Sequence, residues 1–158
     1  MPAGACGHGR AQPIREVTVK KHLVRALLAV GAAVASLATA APAANAATAR
    51  NGVCETGEFC LYYGPGETGS VSDFSGSIPN YGRTQPDCYE FKTPGLAGYG
   101  QCIKNNARSA KNNTTRYVVK VYFNSNYGGS NVTYNPGGAG DLGSLTRENA
   151  SHLFEPVS

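Results

Sequence analysis

The chain has 158 residues, with three His, five Cys and no Trp, and a formal charge of +4. Five of its 14 Lys and Arg (Arg10, Arg15, Lys20, Lys21, Arg25) but only one of its 10 acidic residues (Glu16) precede residue 47, so nine of each sign remain beyond it. That neutral remainder lacks the basic footprint of a nucleic-acid binder, and at about 110 residues it has room for one domain.

Residues 1–16 follow no targeting grammar, and translation is expected to begin near Val17. Lys20, Lys21 and Arg25 then open an uncharged run, "ALLAVGAAVASLATAA", which leads to the small-x-small triplet Ala44-Asn45-Ala46. This is the three-part plan of a secretory signal peptide, so residues 1–46 are expected to be removed after Ala46. A membrane anchor is the competing reading, but the run falls short of the ~20 residues a spanning helix needs. The mature protein is therefore expected outside the cell, free of the membrane. Residues 47–53 are small and polar and read as a loose tail.

Four cysteines remain: Cys54, Cys60, Cys88 and Cys102. An even count in a small exported chain points to disulfides, and four cysteines allow three pairings. Joining sequence neighbours, Cys54 with Cys60 and Cys88 with Cys102, is favoured. A four-thiolate zinc site fits poorly, because no CxxC spacing is present.

Helical periodicity is missing, and Gly and Pro recur every few residues. Strands are expected at "FCLYY" (59–63), "SVSDF" (70–74), "RYVVKVYF" (116–123), "SNVTY" (130–134) and "SHLFEPV" (151–157). In the third, Tyr117, Val119, Val121 and Phe123 share one face by the strand period of two. Short strands between Gly-rich turns argue an all-β sandwich or barrel.

One phrase is written twice. Leu61, Tyr62, Tyr63, Gly69 and Ser70 recur sixty residues later as Val121, Tyr122, Phe123, Gly129 and Ser130. Each Gly can take the positive φ that a folded-over hairpin needs, and each following Ser is expected to bond local backbone. "KNNARSA" (104–110) and "RENASHL" (147–153) also look alike, with Asn-Ala in register. Residues 54–112 and 113–158 are thus expected to be two four-strand units that share one core.

The twice-written corner resembles the βγ-crystallin double Greek key. The head "CETGEFCLYYGPG", a Cys-x5-Cys followed at once by Leu-Tyr, resembles the actinobacterial, Streptomyces-type metalloproteinase inhibitors, a crystallin-like family of small exported proteins. The resemblance runs from Cys54 to Phe154. It implies a disulfide-stabilised sandwich of two Greek keys, acting without cofactor as a monomer on a secreted protease. In the defining inhibitor the loop offered to the enzyme lies beside a second disulfide in the C-terminal half. Here Cys88 and Cys102 lie in the first half, so that loop is not carried over.

The candidate loop is instead "CYEFKTPGLAGYGQC" (88–102). A disulfide-bounded, Pro94-stiffened segment loses little entropy on binding. Within Cys88, Tyr89, Glu90, Phe91 and Lys92, the aromatics are candidate anchors. Phe91 could enter an apolar pocket of a thermolysin-like enzyme, and Glu90 could approach its metal. The competing reading makes the loop an ornament whose aromatics fill the core edge. An enzyme is disfavoured: His152 is the one His beyond residue 46, and its neighbour Ser151 points the opposite way in a strand.

Two binding readings stand beside inhibition. Asn105, Asn106 and Ser109 resemble most of a crystallin-type calcium site, while Glu148, Asn149, Ser151 and His152 form a poorer copy. Tyr81, Tyr99 and Tyr127 could stack on glycans. Four Asn-x-Ser/Thr sequons, at Asn112, Asn113, Asn131 and Asn149, read as incidental.

Overall fold

The computed structural model describes residues 48–158; the leader, its cleavage point and the start codon lie outside them. Among the described residues seven strands form: β1 Phe59–Tyr62, β2 Val71–Phe74, β3 Ser109–Asn112, β4 Tyr117–Asn124, β5 Gly128–Tyr134, β6 Ala139–Asp141 and β7 Ser151–Pro156. They make two antiparallel sheets, ordered β2-β1-β3-β6 and β5-β4-β7. All five expected strands are present. The two extra ones, β3 and β6, are short and built of small or polar residues that give no period-two signal.

The duplicated phrase folds twice in the same way. Gly66 and Glu67 have φ of 58° and 60°, and Asn126 and Tyr127, sixty residues on, have 58° and 60°. Gly69 and Gly129 both sit at 77°, a region L side chains avoid. A Cβ on Gly69 would stand 3.4 Å from the Tyr63 Cβ, and one on Gly129 would stand 3.4 Å from the Phe123 Cβ. Each hairpin therefore folds back over its own corner aromatic.

The serine that clasps each hairpin is not the one expected. Ser109 Oγ donates to Gly64 O (2.7 Å) and accepts from Glu67 N (2.9 Å). Ser151 Oγ donates to Asn124 O (2.7 Å) and accepts from Tyr127 N (3.2 Å). Ser70 instead exchanges bonds with Thr93, and Ser130 is exposed. Tyr62 pairs with Ser109 as Tyr122 pairs with Ser151, so the two ends match at an offset of 42 residues. The 43-residue register that aligns the two Asn-Ala pairs is one residue out.

The repeats also trade their third strands. β6, from the second half, hydrogen-bonds β3 of the first. Ile78, from the first half, bridges His152 on β7 of the second, with N–H···O bonds of 3.0 Å each way. Neither half closes its own sheet, which gives two Greek keys locked through each other. Phe59, Leu61, Ala110, Val119, Val121, Tyr134 and Leu142 meet between the sheets. Burying each large member is worth about 1.5–3 kcal/mol. At the ends of β4 the shared face runs into solvent: Tyr117 is 38% exposed and Phe123 43%.

Buried amides tie the junctions. Asn112 Nδ2 donates to Tyr117 O and Tyr134 O, while its Oδ1 accepts from Thr114 N and Oγ1. Asn149 Oδ1 accepts from Ala107 N, and its Nδ2 donates to Ile103 O. Both sequon asparagines are fully buried. Orphaned amides in such places would cost about 1–3 kcal/mol each.

Candidate functional site

β2 is an edge strand, and an open edge invites unwanted pairing. Residues 88–102 cover it. Cys88 is joined to Cys102 and Cys54 to Cys60. Inside the first loop the chain doubles back as a ladder: Phe91 N donates to Gln101 O (3.0 Å), Gly100 N to Phe91 O (3.0 Å) and Ile103 N to Tyr89 O (2.9 Å). Lys92 N reaches Val71 O (2.7 Å), and Ser70 N reaches Ala97 O (2.9 Å), so the loop docks on the first residue of β2 and on the residue just before it.

The expected loop residues divide by environment. Phe91 is fully buried, edge-on to Tyr63 at 5.6 Å. It fills the core and cannot enter a protease pocket from there, which corrects its assigned role. Tyr89 is half-buried against Phe74, at 5.7 Å between centroids. Glu90 bridges Cys102 through its backbone and pairs with Lys92 at 2.9 Å through its side chain. What the loop presents is its tip: Pro94, Gly95, Leu96 and Ala97 are exposed, with Leu96 at 48% and Tyr99 at 54%. Strand-like alternation after Cys88 could have placed Phe91 inside, and the Pro-Gly turn at 94–95 marks the tip.

The tip is also held from the side. Gln85 Nε2 donates to Gly100 O (2.6 Å), and Thr93 N donates to Ser70 Oγ (2.8 Å). The segment expected to be a loose tail is pinned as well: Asn51 N and Gly52 N donate to the two oxygens of the buried Asp73 carboxylate, at 3.0 and 2.8 Å.

The other candidates disperse. Asn106 Nδ2 is bonded to Cys102 O, and the Ser109 hydroxyl is taken by its clasp. Asn105 opens on a polar pocket that already holds an ammonium, since Lys104 Nζ donates to Asn80 Oδ1 (3.0 Å) and Ser125 Oγ (2.8 Å). Among the described residues no three His, Cys, Asp or Glu gather as metal ligands. Tyr81 is fully buried and so cannot stack on a sugar, while Tyr127 packs on Tyr122 at 6.0 Å. Ser151 and His152 diverge as the strand period requires. His152 Nε2 donates to Gly76 O (2.8 Å), and its Nδ1 accepts from Tyr81 OH (2.9 Å). Burial pushes the imidazole down to about 3, the Gly76 carbonyl opposes, and Arg50 adds to the lowering.

Residues 47–134, which contain both hairpins, both disulfides and the loop, match the model of peptidase inhibitor family I36. The chain belongs to that family. It is a peptidase inhibitor and not an enzyme, and the resemblance carried by the head motif is borne out. Comparison with curated proteins finds no match. Among solved structures, one described as "Evolution of the eye lens beta-gamma-crystallin domain fold" is similar, with 13% identity and a TM-score of 0.50 over 68% of this chain and 96% of that one. The N-terminal domain of protein S is similar at 22% identity and a TM-score of 0.43 over 63% and 97%. The first likeness shows the fold, a βγ-crystallin-like double Greek key. The described residues carry two disulfides, which suit an oxidising setting; among them no helix is long and apolar enough to cross a membrane.

Proposed function

We propose that this inhibitor is secreted and, as a monomer without cofactor, occludes an extracellular metallopeptidase stoichiometrically, laying residues 94–99 in the enzyme's cleft. The carrying observation is the exposed Leu96 at the tip of a loop closed by Cys88–Cys102 and hydrogen-bonded on either side of the tip to Ser70 and Val71, where β2 begins. An exposed apolar side chain carried on a tip of tight turns suits an enzyme that selects an aliphatic or aromatic side chain, as thermolysin-like enzymes do. The loop is ordered before binding, so little conformational entropy remains to be lost. Should the tip be cut, the disulfide and the β2 bonds keep both new ends in place, which favours religation and slow release.

The test is residual activity of thermolysin-like and subtilisin-like proteases against increasing inhibitor, for the parent protein and Leu96→Asp. The reading expects one-to-one titration of the metallopeptidase and at least a tenfold loss with Leu96→Asp at unchanged melting temperature. Equal inhibition by the variant would remove the tip from the mechanism. Failure of the parent at micromolar concentration against the metallopeptidase would remove the proposed target class.

A further inference from the structure

The N-terminal segment makes more contacts with the loop than a linker needs. The Arg50 guanidinium lies 4.8 Å from the Phe74 ring centroid and 5.1 Å from that of Tyr89. Its Nη2 donates to Glu90 O (2.9 Å), and its Nη1 donates to Ser72 Oγ, whose own hydroxyl also donates to Glu90 O (2.9 Å). Two donors thus converge on one loop carbonyl. Thr93 Oγ1 donates to Gly52 O (2.7 Å) and itself accepts from Val71 N (3.1 Å). Gly52 has φ +83°, and a Cβ there would stand 2.7 Å from the Lys92 carbonyl carbon. The segment therefore lies backbone against backbone on Lys92 and Thr93.

We infer that residues 48–53 form a strap across the base of the 88–102 loop, with Arg50 as the positioning residue that fixes the Glu90 carbonyl and so the direction in which the tip leaves the body. This rests on the reading of that loop as the inhibitory one. The contacts fall on Glu90, Lys92 and Thr93, the residues that lead into the tip, and on Ser72 and Asp73 of the strand the loop docks against. Asp73 holds the strap from beneath through two backbone amides, and the two aromatic faces hold the guanidinium. Without the strap the loop keeps its disulfide and loses its aim. A loosened loop is bound more weakly and cut faster, so an inhibitor becomes a substrate.

Arg50→Ala and Arg50→Lys separate this role from general stability. Amide hydrogen exchange is followed at Lys92 and Ser70, which hydrogen-bond across the loop–β2 contact, and at β4 residues 119–122 as control. Inhibition and the rate of tip cleavage are measured on the same proteins. In Arg50→Ala, exchange at Lys92 and Ser70 should quicken at least tenfold while the β4 amides stay within about twofold. The inhibition constant should rise at least tenfold and tip cleavage should speed up, with Arg50→Lys intermediate. Unchanged exchange at Lys92 and Ser70 overturns the strap, whatever the inhibition data say, and so does uniform acceleration that includes β4. Faster local exchange with unaltered inhibition, in a protein that Leu96→Asp does disable, overturns the positioning role alone. If Leu96→Asp is equally without effect, the fault lies in the loop reading, and the role falls with it.

Discussion

His152 offers the sharpest physical test of the fold. It lies where the first repeat crosses to the second, beside the Ile78 bridge, with Phe74 at 4.7 Å, Phe59 at 5.1 Å and Phe154 at 5.6 Å from its ring centroid. Folding holds the imidazole neutral, with its pKa pushed down to about 3, whereas in the unfolded chain it takes a proton near the ordinary histidine value of 6.5. Between those values the unfolded state binds more protons, so this contribution is whole above about pH 6.5 and is lost as pH falls toward 3. Integrating over pH 6 to 4 gives a loss of about 2–3 kcal/mol from this one group. Glu58 works in the opposite sense: burial raises its carboxyl, so the folded state favours the protonated form, and the stability this gives is lost as pH rises. That effect is common to parent and variant and cancels in their difference. His152→Gln keeps a donor for Gly76 O and removes the titration. At pH 7 it should be about 2–3 kcal/mol less stable, from lost ring packing and the lost Tyr81 bond. By pH 4 the gap should nearly close. Urea unfolding at pH 4, 5, 6 and 7, at fixed ionic strength with disulfides intact, measures it. A gap constant within about 0.5 kcal/mol across that range would refute the buried neutral histidine.

Three further outcomes follow from the geometry. Ser109→Ala and Ser151→Ala each remove a two-bond hairpin clasp and should each cost about 1–3 kcal/mol in urea unfolding, while exposed Ser130→Ala should stay within about 0.5 kcal/mol; three equal values would contradict the clasp assignment. Replacing Cys88 and Cys102 by Ser together should lower stability by about 3 kcal/mol on the chain-entropy account and speed amide exchange at Phe91 and Gly100. Calcium at millimolar concentration should leave the melting temperature unmoved, because the Ser109 hydroxyl is already engaged and an ammonium sits beside Asn105; a saturable rise would restore the calcium reading.

Local chemistry was legible wherever a residue's role is fixed by its neighbours in the chain. Gly69 and Gly129 could be matched because a hairpin folded on its own aromatic needs a positive φ at that step, and few other residues accept it. The clasping serines were missed because Ser109 and Ser151 lie about forty and twenty-five residues from the turns they hold, and no local spacing records that. Phe91 was misjudged for a related reason. Hydrophobic character says that a side chain prefers to be covered, and a protease pocket and the protein's own core satisfy it equally well. Which one does so is decided by β2, whose edge draws the loop inward.

The sequence alone determined that the chain folds as twin aromatic hairpins, all-β, with cysteines spaced for two disulfides, since period-two patterning, turn residues and cysteine spacing act over a few residues; that it is an inhibitor was legible only through the resemblance of its head motif to a known family. The tertiary structure alone decided the exchange of third strands, the burial of His152 and Tyr81, and the pinning of residues 48–53 over the loop. Those features depend on surfaces that exist only after distant segments meet, and β6 and the Ile78 stretch are too short to carry a pairing signal of their own.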